Sequence, residues 1–130
     1  MNRISLLSAL TFISAPLMLT SVQAASLDGT WSGRGFVQPS GGKREKVRCR
    51  ATYSRTSSKT YDVRATCASA SNSIRQTGTL LWIRKGRYAG DFYNRQFDIG
   101  GRLRVTVRGA RQSVTFKGDG VTGKLNLRKR

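Results

Sequence analysis

Basic side chains recur at every second position in two stretches of this chain. Lys46, Arg48 and Arg50 alternate with Val47, Cys49 and Ala51, and Arg102, Arg104 and Arg108 share a stretch with Leu103, Val105 and Val107. A guanidinium offers a planar fork that grips phosphate or carboxylate through two parallel hydrogen bonds, whereas an ammonium acts as a point charge. Arginine outnumbers lysine by more than two to one, so the chemistry on offer is recognition of anionic groups. Arg64, Lys117, Lys124 and Arg128 are further candidates for the same work. A second cluster, Arg84, Lys85 and Arg87 around Gly86, adjoins Trp82 and Tyr88, and Tyr93 stands near Arg95. Strand alternation turns Trp82 and Tyr88 inward as core residues. The alternative is stacking of these aromatics on bases or sugars, or their seating at a lipid interface.

The remaining side chains argue against catalysis. Histidine is absent, which removes the usual neutral-pH base and metal ligand. Of the six carboxylates, Asp28 and Asp119 adjoin glycines and Glu45 stands among Lys43, Arg44 and Lys46, so turn formation or local charge balance accounts for them. Asp91 and Asp98 flank the Asn94-Arg95 turn and could form the carboxylate pair of a glycosidase. Ion pairing with neighbouring arginines is the better reading for both and for Asp62. Ser and Thr lack an evident base, and Gly100-Gly101 and Gly118-Asp119-Gly120 read as a bulge and a hairpin turn rather than phosphate cradles. The expectation is a non-enzyme without metal or cofactor.

Cys49 and Cys67 read as a disulfide, given a small core and an export signal. That signal is residues 1–24: Asn2 and Arg3 lead a mostly apolar Ile4 to Leu19, and Val22-Gln23-Ala24 precedes Ala25 as a cleavage site. Ser5, Ser8, Thr11, Ser14 and Pro16 interrupt the apolar stretch, so it is no spanning helix, and no transmembrane span is expected after cleavage. Ala25 rather than Cys at the cleavage point argues against a lipoprotein. The rest, residues 25–130, suits one domain with a modest core. Residues 1–24 contain one of the chain's 24 Lys and Arg and none of its 6 Asp and Glu, so nearly the whole net charge of +18 belongs to the domain. That exceeds the magnitude of about 2–8 that solubility asks of a small domain. It directs the surface towards polyanions in a periplasmic or secreted setting.

Eight short alternating runs must position these residues: Thr30 to Val37, Glu45 to Arg55, Thr60 to Ser69, Ser73 to Ile83, Arg87 to Tyr93, Phe97 to Val107, Gln112 to Lys117 and Val121 to Leu127. Turn-forming residues separate them, among them Pro39-Ser40-Gly41-Gly42, Lys85-Gly86 and Gly109-Ala110. Setting Cys49 against Cys67 places Ala51 opposite Ala65 and Tyr53 opposite Val63 on one apolar face, and a one-residue slip would split the cysteines. Alternation sends Trp31, Val37, Val47, Tyr61, Phe92, Phe97, Ile99, Leu103, Val105, Val107, Val114, Phe116, Val121, Leu125 and Leu127 inward, together with Gly33, Gly35, Gly90 and Gly123. Leu80-Leu81-Trp82-Ile83 is a continuous apolar run, buried on both faces or interrupted by a bulge. The fold expected is an all-β, antiparallel up-and-down barrel of about eight strands; the alternative is a β-sandwich.

Gly29-Thr30-Trp31, opening the first strand after Ser26-Leu27-Asp28, resembles the G-x-W start of lipocalin-like and avidin-like barrels. No ligand residue of those families transfers to this chain. The exported, single-disulfide, small-barrel format is also similar to bacterial periplasmic inhibitors of proteases and lysozyme, in architecture alone.

Three functions follow as expectations. The first is a binding protein that docks on anionic envelope components: lipopolysaccharide, acidic lipid or acidic polysaccharide. The second is an inhibitor or interaction module for another exported protein, presenting residues 94–96 or the Arg84 to Arg87 turn to an acidic cleft. The third is a small-ligand carrier with a partly empty barrel. Export sets nucleic acid aside except for extracellular DNA, and no sequence-reading DNA motif is visible.

Overall fold

The computed structural model describes residues 8–18 and 26–130. Residues 8–18 carry no regular secondary structure, and the rest of the expected signal, with its cleavage site, lies outside the described residues. Eight strands follow: β1 (Gly29–Pro39), β2 (Glu45–Arg55), β3 (Thr60–Ala68), β4 (Ser73–Arg84), β5 (Arg87–Asn94), β6 (Ile99–Arg108), β7 (Arg111–Gly118) and β8 (Val121–Lys129). Each pairs antiparallel with the next, and β8 returns to β1, closing the barrel. Closure removes every sheet edge and excludes the sandwich.

The register of β2 and β3 sets Cys49 opposite Cys67, Ala51 opposite Ala65 and Tyr53 opposite Val63, as the shared apolar face requires. The two cysteines are bonded, 18 residues apart in sequence. Closing a loop of that length removes unfolded-state freedom worth about 3 kcal/mol.

Inward side chains fill the interior around Trp31, Val47, Tyr53, Tyr61, Val63, Leu80, Tyr88, Leu103, Val105, Val114, Leu125 and Leu127. Two T-shaped aromatic pairs, Tyr61 with Tyr88 and Phe92 with Phe116, have ring centroids 5.4 and 5.6 Å apart. Inward glycines let the wall curve. A Cβ at Gly90 would strike the Thr79 carbonyl of β4, and Gly123 lies beneath the Phe116 ring. The cavity that remains, lined by Ala51, Ala65, Gln76, Phe92 and Leu103 among others, measures about 40 Å³.

Trp31 closes one end of the barrel. Fully buried, it donates its indole N–H to the carbonyl of Leu27 at 2.9 Å, so the turn before β1 folds Leu27 over the core. This is the structural work of the Gly29-Thr30-Trp31 opening.

Two expectations need correction. Phe97 is 47% exposed, because β6 begins only at Ile99 and residues 95–98 form a turn. Trp82 is 38% exposed although Tyr88 is buried: the β4–β5 register shifts between Trp82 and Arg84, and this irregularity at the rim leaves Trp82 without cover. At the C-terminal side, β8 runs to Lys129 and the Arg130 N–H donates to the Thr30 carbonyl at 2.9 Å.

Candidate functional site

Alternation decides which side chains leave the barrel, and all thirteen basic candidates are exposed: Lys46, Arg48, Arg50, Arg64, Arg84, Lys85, Arg87, Arg102, Arg104, Arg108, Lys117, Lys124 and Arg128. The register then decides which of them meet. Arg108 lies opposite Arg111, Arg111 opposite Arg128, Arg128 opposite Ser32, and Ser32 opposite Arg50. These five residues form one lateral row across β6, β7, β8, β1 and β2. Directly opposed Cβ atoms in such a row are about 4.5–5.5 Å apart. Arg130 joins it by donating from Nε to the Ser32 hydroxyl at 2.8 Å.

The neighbouring row is polar on β6, β7 and β8, with Thr106, Ser113 and Asn126, and turns basic again at Arg34 and Arg48. Arg87 lies opposite Thr106. Between these rows runs an open groove of about 640 Å³ whose walls carry Arg87, Arg108, Arg111, Lys124 and Arg128. Hydroxyl and amide groups from Thr106, Ser113 and Asn126 supply neutral donors and acceptors along the same groove.

Not every candidate belongs to this face. Arg102 is set between Asp91 and Lys117, and among the described residues Asp91 is the one carboxylate that the register places directly opposite a cation. Arg64 lies opposite Thr52 and Thr77, on the β2–β4 side of the wall. Asp62 and Asp91 flank Thr79 there, so the acidic groups gather on β3 and β5, away from the basic groove. Sequence reasoning missed Arg111 and Arg34. The same period-two alternation identifies Arg34, between Gly33 and Gly35, and a two-residue Gly109-Ala110 turn brings Arg111 opposite Arg108.

The charge is polarised along the barrel axis as well. In this topology the β2–β3, β4–β5 and β6–β7 turns share one end with the start of β1 and the finish of β8. That end carries Arg55, Lys59, Arg84, Lys85, Arg87, Arg108, Arg111, Arg128, Lys129 and Arg130, with Asp28 as its half-buried acid. Glu45, Asp98 and Asp119 lie in or beside turns at the opposite end.

Two of the acids at that opposite end, Glu45 and Asp98, have structural partners. Ser71 donates to Glu45 at 2.9 Å, and hydrogen bonds from Ser69 and Ser71 hold the Glu45 carboxyl below its ordinary range. Asp98 accepts a hydrogen bond from the Tyr93 hydroxyl at 2.7 Å, which raises the Tyr93 pKa. Asp98 takes a positive φ of 50° in the turn, a conformation that aspartate tolerates. Asp91 and Asp98 therefore each have a local role in the wall and the turn.

No protein-family model matches the chain, and no curated protein matches it. Solved structures do. A redesigned β-barrel, mFAP1, bound to DFHBI has a TM-score of 0.67 at 15% identity, over 79% of this chain and 94% of that one. A de novo designed fluorescence-activating β-barrel has a TM-score of 0.61 at 17% identity, over 79% and 93%. At such identities the likeness establishes the fold: a small, closed, eight-stranded antiparallel barrel of lipocalin-like form.

Proposed function

We propose that this chain is an exported, non-enzymatic binding protein that docks on anionic components of the cell envelope: lipopolysaccharide phosphates, acidic phospholipid or acidic polysaccharide. The observation that carries the reading is the row Arg108, Arg111, Arg128 and Arg50. Opposed like charges destabilise a sheet, so a row of them is explained by a partner that neutralises it. Multiple forked contacts on a rigid, disulfide-pinned wall give affinity without conformational change. The disulfide accords with an oxidising compartment. With no histidine in the chain, the charge holds steady across physiological pH.

The ligand-carrier reading fits less well. A cavity of about 40 Å³ has room for ordered water, whereas sites for drug-sized ligands span about 300–1,000 Å³. The redesigned barrel bound to DFHBI shares the architecture and not the sequence.

The test is retention of the purified protein on vesicles containing acidic phospholipid or acidic glycolipid, with neutral vesicles as control. Binding to the anionic vesicles alone, weakened by salt, is expected. Absence of binding at low salt to lipid and to acidic polysaccharide alike would reject the reading.

A further inference from the structure

Leu81, Trp82 and Ile83 form the largest departure from alternation in the barrel. They are 51, 38 and 54% exposed, three consecutive apolar side chains at the rim of the end where β1 starts and β8 finishes. Three such residues in the open are a surface fault unless a partner covers them. Their position is held firmly. The Trp82 N–H donates to the Lys59 carbonyl at 2.8 Å, which ties β4 to the β2–β3 loop, and the Lys59 ammonium lies 5.4 Å from the Trp82 ring centroid.

The charge around the tip is predominantly positive, with the half-buried Asp28 near Tyr88 as the acid at this end. Lys59 stands on one side, Arg84, Lys85 and Arg87 follow directly in the chain, and Arg108 and Arg111 occupy the next turn at the same end. An apolar tip ringed by cations matches the layered chemistry of an acidic bilayer, with phosphates at the surface and hydrocarbon a few ångströms below. A soluble polysaccharide offers the charge and no hydrocarbon. A protein interface of ordinary size would cover about 800 Å² per partner, far more than three rim side chains.

We infer that the barrel docks end-on to an acidic lipid bilayer, inserting Leu81, Trp82 and Ile83 past the headgroups while Lys59, Arg84, Lys85 and Arg87 pair with lipid phosphates. This rests on the envelope-docking function and specifies its ligand and orientation. The tip carries no regular helix, so insertion is shallow, and the groove arginines beside Arg87 extend the contact to neighbouring headgroups.

Tryptophan emission reports the step, because Trp31 is fully buried and Trp82 is the exposed indole. The full protein is mixed with acidic phospholipid vesicles whose acyl chains carry bromine, a quencher confined to the hydrocarbon. Trp82 emission is expected to be quenched, and a W82F variant, emitting from Trp31 alone, to be unaffected. An L81S/I83S variant should keep its far-ultraviolet dichroism and lose about tenfold to a hundredfold in vesicle affinity, from leaving half of two aliphatic side chains in water. Vesicle binding without quenching, or with unchanged affinity of L81S/I83S, would overturn end-on insertion and leave docking through the arginine groove standing. Failure to bind acidic vesicles while acidic polysaccharide is still bound would overturn the lipid assignment alone. Failure to bind either would overturn the envelope-docking function with it.

Discussion

Replacing Arg108, Arg111 and Arg128 together by threonine should weaken binding and strengthen folding at the same time. Each basic residue near an acidic surface contributes about 1 kcal/mol, so the triple variant R108T/R111T/R128T should lose about 3 kcal/mol, or roughly 150-fold in affinity. Within the fold, the same change removes two directly opposed like-charge pairs, Arg108 with Arg111 and Arg111 with Arg128. At about 0.2–1 kcal/mol each, their relief stabilises the barrel by about 0.4–2 kcal/mol, and threonine is a favoured strand residue. Vesicle co-sedimentation measures the first quantity and urea unfolding at low ionic strength the second. The stability gain should shrink in 1 M salt, where the Debye length falls to about 3 Å. A control that removes Arg64 on β3 and Arg75 on β4, which lies opposite Thr66, both outside the row, should cost distinctly less affinity per charge. Equal losses per charge would mean that net charge alone governs binding. Unchanged affinity, or a stability loss above about 1 kcal/mol, would refute the assignment of this row to an anionic partner.

Replacing both cysteines, C49A/C67A, should lower stability by about 3 kcal/mol, read from urea midpoints with and without reductant. Gly90→Ala should cost at least about 2 kcal/mol, since its Cβ would meet the Thr79 carbonyl rather than a yielding side chain; thermal unfolding measures this. Burial pushes the Tyr53 phenol well above its ordinary value, and its hydroxyl donates to the Gln112 amide oxygen at 2.6 Å. The folded state therefore favours the neutral phenol, and the resulting stability, complete below the unfolded-state pKa of about 10, should be lost as pH rises beyond it. Urea unfolding across that range should show the decline, and a Y53F variant should show less of it.

Fold and site were legible to different depths, for physical reasons. Period-two alternation and the Cys49–Cys67 register are local constraints, so β2 and β3 and their pairing can be read from neighbouring residues alone. Barrel closure depends on β1 meeting β8, a long-range contact favoured by the eight-strand count but not fixed by any single motif. Phe97 misled because hydrophobicity does not place a strand boundary: the Asn94 side chain accepts the Phe97 N–H at 3.0 Å and holds the chain in a turn there. Trp82 misled because alternation predicts a direction and not the cover at that position, and the rim provides none. Exposure of ten of the thirteen cations followed from alternation, and that of Arg84, Lys85 and Arg87 from the turn around Gly86. Their sorting, with some along the groove, Arg102 opposite Asp91 and Arg64 on the β2–β4 side, required the cross-strand register, which only the closed barrel supplies.

The central claim is that the Arg108–Arg111–Arg128 row and its groove receive anionic groups. Residue-resolved NMR titration of the protein with a soluble phosphorylated glycolipid headgroup tests it most directly. The largest shifts are expected at Arg87, Arg108, Arg111, Ser113, Asn126 and Arg128, and salt should suppress them. Shifts centred instead on the interior lining at Ala51, Ala65 and Leu103, or on the acidic side at Asp62 and Asp91, would contradict it.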